Sequence, residues 1–76
     1  MKKDRSKKFV ICTKNDDHKA SLEIRKIYVA ISDKKAESLH LMRIVDESGE
    51  DYLYPDDYFI PVSLPETTEA ALLKAI

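Results

Sequence analysis

The sequence predicts a mainly β fold: a small, partly open barrel of about five strands with a short C-terminal helix. Three observations carry this. Short apolar runs rich in β-branched and aromatic residues recur between turn formers, the single glycine of the chain sits between two such runs, and a proline-and-acid start signal stands only near the C-terminus. With 76 residues the chain supplies one domain and a small, solid core, and the 36% of charged residues gives it a densely ionic surface.

The elements follow in order. "MKKDRSK" has no apolar residue after Met1, so residues 1–7 read as a flexible basic arm and residues 8–76 as the single domain. "KFVICT" is too short and too β-branched for a helix and reads as a buried strand, with Cys12 as a small apolar residue near its end. "KNDDHK" is a turn, and His18, like His40 further on, reads as a loop residue. In "SLEIRKIYVAISD", Leu22 and Ile24 share one parity while Ile27, Val29 and Ile31 share the other. A bulge or bend at Arg25-Lys26 would return both sets to the same side.

Ser32 or Asp33 is placed to cap one helical turn in "SDKKAESLH". "LMRIVD" and "DYLYP" flank "ESGE", where Gly49 suits the left-handed position of a short hairpin loop. "DDYF" reads as a turn into "FIPVSL", whose Pro61 lacks a ladder donor and so belongs on a sheet edge or bulge. In "SLPETTEAALLKAI", Ser63 stands three residues before Glu66, and Leu72, Leu73 and Ile76 form an apolar stripe with which a helix would cover part of the barrel.

Five strands, a tight glycine hairpin and a helical turn before the last strand fit an SH3-like topology. "IYVAISD", "RIVDESGEDYLYPDDYF" and "VSLPE" resemble a group of small bacterial proteins with SH3-like barrels and no assigned activity, across roughly residues 21–66. The resemblance implies a fold and no mechanism. Peptide-binding SH3 domains of eukaryotes carry an "ALYDY"-type segment and a groove tryptophan, and this chain has no Trp.

Function is less legible. Tyr28, Tyr52, Tyr54 and Tyr58, with the acidic rim Glu50 and Asp51, are the candidate surface for binding another protein, since aromatic faces with polar tips suit interfaces; cross-strand packing of the same rings is the competing reading. The acids Asp46, Glu47, Glu50, Asp51, Asp56 and Asp57 lack the alternating frame and terminal glutamate of a calcium loop, and one Cys with two His is too few for a zinc site. No metal, cofactor or catalytic residue is assigned. One glycine excludes a glycine-rich phosphate loop, and no nucleophile–base pair stands out, so the expectation is a non-enzyme.

Charge is uneven: residues 1–43 hold twelve Lys/Arg against six Asp/Glu, and residues 44–76 hold one against eight. The arm Lys2, Lys3, Arg5, Lys7 and Lys8, with Arg25, Lys26, Lys34 and Lys35, offers phosphate contacts. Nucleic-acid binding is nonetheless disfavoured, because the arm has no aromatic residue and the Tyr-rich hairpin is acidic. A structural role in which an edge strand or the C-terminal helix pairs with a second copy is the third reading. No run approaches the length of a membrane span, and a lone cysteine agrees with a cytoplasmic setting.

Overall fold

The computed structural model describes residues 7–74. Five strands form one antiparallel sheet: β1 (Lys7–Cys12), β2 (Ile27–Ile31), β3 (Leu41–Val45), β4 (Asp51–Pro55) and β5 (Phe59–Val62). Helix α1 (Lys34–Ser38) joins β2 to β3, a 3₁₀ turn (Asp56–Tyr58) joins β4 to β5, and α2 (Glu66–Lys74) follows. The strand order is β4-β3-β2-β1-β5, so the last strand returns beside the first and the sheet does not close, as in a partly open barrel. None of these helices is long and apolar enough to cross a membrane. Lys7, assigned to the arm from the sequence, instead opens β1 opposite Ile31; the rest of that arm lies outside the described residues.

The inner face of the sheet carries the core. Val10, Cys12, Tyr28, Ala30, Ile44, Tyr54 and Phe59 project to it from all five strands, and Leu22 closes it from the loop between β1 and β2. The bend predicted at Arg25-Lys26 is present, with Arg25 at a φ of 73°. Its consequence differs from the expectation. Leu22 is fully buried while Ile24 is exposed, and in β2 the inner positions belong to Tyr28 and Ala30 rather than to Ile27, Val29 and Ile31. A strand in the interior of a sheet that is apolar on both faces has no polar alternation to fix which parity turns inward.

The outer face is accordingly apolar too. Phe9 stands opposite Val29 and Val62, and Val29 opposite Val45, forming a row across four strands. Phe9 and Val29 are buried, and α2 lays Leu72 beside them. The helix covers less of the sheet than its stripe predicts: Leu73 is exposed, no residue of Glu66–Lys74 is fully buried, and Ile76 lies outside the described residues. Nor does Ser63 cap it. The first turn closes from Glu69 N–H to Pro65 C=O (3.0 Å), which makes Pro65 the cap position and places Glu66 too early to complete a capping box.

Other local expectations hold. Asp33 caps α1, its Oδ1 accepting from Ala36 N–H at 3.0 Å. Gly49 adopts a φ of 85° in a turn closed by Gly49 N–H to Asp46 C=O (2.9 Å), where a side chain would be strained. Cys12 is buried at the end of β1, and that burial raises its thiol pKa despite the bond from Sγ to Lys14 C=O.

Candidate functional site

The β3–β4 hairpin gathers most of the residues singled out from the sequence, and the structure divides them into two sets. Tyr28 and Tyr54 are only 5% and 4% exposed. Neither presents a ring to a partner, which corrects their assignment to a binding surface. Tyr52, at 52% exposed, and the exposed Glu50 and Asp51 stand near the hairpin tip, Tyr52 on the inner side of β4 beyond the edge of the core and Asp51 on the outer face with Arg43. Tyr58 is half-buried, its ring packed beside Phe59 and His18 and its hydroxyl donating to Asp16 C=O (3.1 Å).

The two buried tyrosines hold the hairpin tip. Tyr54 Oη donates to Asp46 Oδ2 at 2.5 Å, while Asp46 Oδ1 accepts from Ser48 N–H (2.9 Å) and Ser48 Oγ (2.6 Å). Burial of Asp46 opposes ionisation, but the bonds from the Ser48 hydroxyl, Tyr54 and the Ser48 amide outweigh it and hold the carboxyl below its usual range. Tyr28 Oη donates to Glu47 Oε2 (2.5 Å) and accepts from Glu23 N–H (2.7 Å). Lys26 Nζ reaches the same Glu47 oxygen at 2.5 Å, and this ion pair, followed by the Tyr28 bond, keeps Glu47 below the ordinary glutamate range. A backbone bond from Glu47 N–H to Ser21 C=O (3.0 Å) ties the tip to the loop that carries Leu22.

Arg43 braces the hairpin from the outer face at mid-ladder, its Nε on Asp33 Oδ2 (2.9 Å) and its Nη1 on Asp51 Oδ2 (3.1 Å) at the tip end. Of the cations grouped from the sequence as phosphate contacts, Lys26 is committed to Glu47 and lies 5.6 Å from the Tyr28 ring centre. Among the described residues, no three His, Cys, Asp or Glu side chains converge as a metal ion requires. A groove of about 420 Å³ is lined by Phe9, Val29 and Val45 of the sheet, by Lys26 and Glu47, and by Leu72 of α2.

Sequence parity places Tyr52 and Tyr54 on one face, which the register confirms: they lie opposite Ile44 and Met42. It does not reveal that one ring is core and the other surface. The carboxylate at Asp46, eight residues before Tyr54, is the signal that marks the buried ring, because a tyrosine hydroxyl taken out of water needs a partner.

These pairs set a pH profile. The lowered carboxyl pKa values of Asp46 and Glu47 give stability that is complete above the unfolded carboxyl range and is lost as pH falls below about 4. Tyr28 and Tyr54 are shifted upward, first by burial and then by their carboxylate partners, so their contribution is complete below the unfolded tyrosine value and is lost above about pH 10. The buried Cys12 thiol, also shifted upward, starts its loss earlier, above about pH 8.5, so urea midpoints should be level only from about pH 5 to 8, and Asp46→Asn should shrink the acid limb. An acid limb unchanged in that variant would show that Asp46 does not link hairpin and pH.

Comparison with known proteins returns no match to this chain, whether among family models, curated proteins or solved structures.

Proposed function

We propose that this chain is a noncatalytic, cytoplasmic SH3-like domain that binds another protein through the exposed tip and edge of its β3–β4 hairpin. The observation that carries this reading is the division of labour in the hairpin. Two buried tyrosines donate their hydroxyls to Asp46 and Glu47, which fixes the tip, and the exposed ring of Tyr52 is thereby held on the side of Glu50, with Asp51 on the opposite face of the same strand. An aromatic ring on a rigid element loses little entropy on binding, which is what an interface anchor needs. The return of β5 beside β1 and the 3₁₀ turn leading into it support the SH3-like reading.

Tyr52→Ser tests it. The substitution lies at an exposed site and should change folding stability by no more than about 0.5 kcal/mol. A nuclease-resistant protein captured from bacterial lysate by the tagged wild-type chain should be lost, or held about tenfold more weakly, by the variant. Equal capture by both would move the binding surface away from the hairpin. Capture that nuclease abolishes would favour nucleic acid as the partner.

A further inference from the structure

The hairpin ladder fixes which backbone groups of β4 face away from the sheet. Asp46 N–H donates to Glu50 C=O (3.1 Å) and Asp56 N–H to His40 C=O (3.0 Å), and these bonds bracket the register Leu41↔Pro55 through Val45↔Asp51. In an antiparallel ladder the bonded pairs alternate, so Tyr52 and Tyr54 point their N–H and C=O groups at β3. Asp51, Leu53 and Pro55 point theirs outward. Among the described residues the edge of β4 is free, and it offers two donors, on Asp51 and Leu53, and three acceptors, with Pro55 closing the donor row.

The opposite edge of the sheet is closed to such pairing. Ile11 and Phe9 pair with Ile60 and Val62 in the phase set by Thr13 N–H to Tyr58 C=O (2.7 Å), which turns Phe59 and Pro61 outward. Pro61 has no N–H, and the Phe59 N–H is bonded to Asp56 C=O. Proline and a local bond are devices that protect an edge, and β4 has neither within Asp51–Tyr54. It also exposes an apolar side chain on each face at this edge, Tyr52 on one and Leu53, 41% exposed, on the other.

We infer that the free edge of β4 accepts an extended segment of another protein, apolar at its centre and basic at both ends, as an added strand. This deepens the proposed function and rests on it. The charges at the edge select the occupant. Glu50 stands at one end of the strand beside Asp51, which Arg43 holds, and Asp56 just beyond the other beside Asp57, which Lys14 meets at 3.6 Å. Glu50 and Asp56 thus leave lysine or arginine flanking an apolar centre complementary at both ends. The same charges oppose a second copy. Pairing two β4 strands about Leu53, the register in which the outward-facing Asp51, Leu53 and Pro55 all meet a counterpart, sets Glu50 opposite Asp56, like charges across strands. Ladder bonds would supply affinity, and Tyr52 and Leu53 would select the side chains laid against them.

The test uses the isotope-labelled chain and two synthetic peptides, KKVTVTVKK and EEVTVTVEE. The basic peptide should slow hydrogen exchange at the Asp51 and Leu53 amides and bind at least about tenfold more tightly than the acidic one. Leu53→Pro removes one outward donor without touching the β3 ladder, and should weaken the basic peptide by about tenfold while the other amide signals stay in place. Should that variant fail to fold, Glu50→Lys decides, since it should narrow or reverse the preference between the peptides. Signals that move at Phe9, Val29 and Leu72 instead would overturn the edge proposal and leave an interaction module binding through its groove. No saturable binding of either peptide also overturns it, and the Tyr52→Ser capture experiment then decides the broader reading separately. Concentration-dependent protection of Asp51 and Leu53 without peptide would assign the edge to a second copy and equally overturn it.

Discussion

Tyr54→Ser is expected to cost about 3–5 kcal/mol of folding stability, the range for removing a buried aromatic ring. A domain of 76 residues has roughly 4–11 kcal/mol in total, so the substitution should remove on the order of half of it. The ring is in the centre of the core, edge-on to His18 with centroids 5.0 Å apart and 6.3 Å from Phe59. Tyr54→Phe separates ring from hydroxyl. It keeps the packing but withdraws a donor from Asp46, which is only 6% exposed, and should cost about 1.5–3 kcal/mol, as for a hydrogen bond to a charged group. Urea unfolding checks both: midpoints should fall in the order wild type, Phe, Ser with little change in slope. A Tyr54→Ser chain with a wild-type midpoint would mean that the ring is on the surface after all.

For Tyr54 that expectation follows the reading in which the hairpin rings pack across strands, and not the one that gives Tyr54 to a binding surface. The reason is physical. Period-two alternation says that Tyr52 and Tyr54 share a face, and both rings do lie on the inner side of β4. Burial depends on where the core ends. Tyr54 stands beside Met42 and over Phe59 and His18, whereas Tyr52 lies one ladder step nearer the hairpin tip and is exposed. Strand pairing of that kind, and the loop that folds across it, is not written in the local pattern.

Features fixed by one residue's own covalent chemistry were legible. Gly49 marks the left-handed turn, Pro61 an edge strand, and Asp33 a helix cap, each through a constraint that acts within a few residues. Features fixed by competition between residues were not. Ser63 is a good cap by type, yet the helix begins at Glu66 with Pro65 before it. In β2, three isoleucine and valine residues point outward because Tyr28 can bury its ring inward while its hydroxyl meets both Glu23 and Glu47. The hairpin residues that remain candidates for contact, Glu50, Asp51 and Tyr52, are those whose side chains the core does not use.

Leu22 carries the second large effect. It is two residues from Ile24, of the same parity and nearly the same hydrophobicity, and the structure treats them oppositely: Leu22 is fully buried while Ile24 is exposed. The loop fixes the difference. Leu22 N–H bonds to His18 C=O (3.0 Å), Asn15 Nδ2 donates to Leu22 C=O (3.0 Å), and Glu47 N–H donates to the adjacent Ser21 C=O (3.0 Å), so backbone bonds on either side aim the side chain into the core. Leu22→Ala should therefore cost about 2–5 kcal/mol, against less than about 0.5 kcal/mol for Ile24→Ala. Because Ser21 also receives the hairpin tip, the loss should reach the tip: amide exchange at Glu47 and Gly49 should quicken in Leu22→Ala more than at the β1–β5 pairing. Uniform quickening would mean that loop, tip and sheet open as one unit, and that Leu22 stabilises the whole fold without selectively holding the surface offered by Glu50, Asp51 and Tyr52.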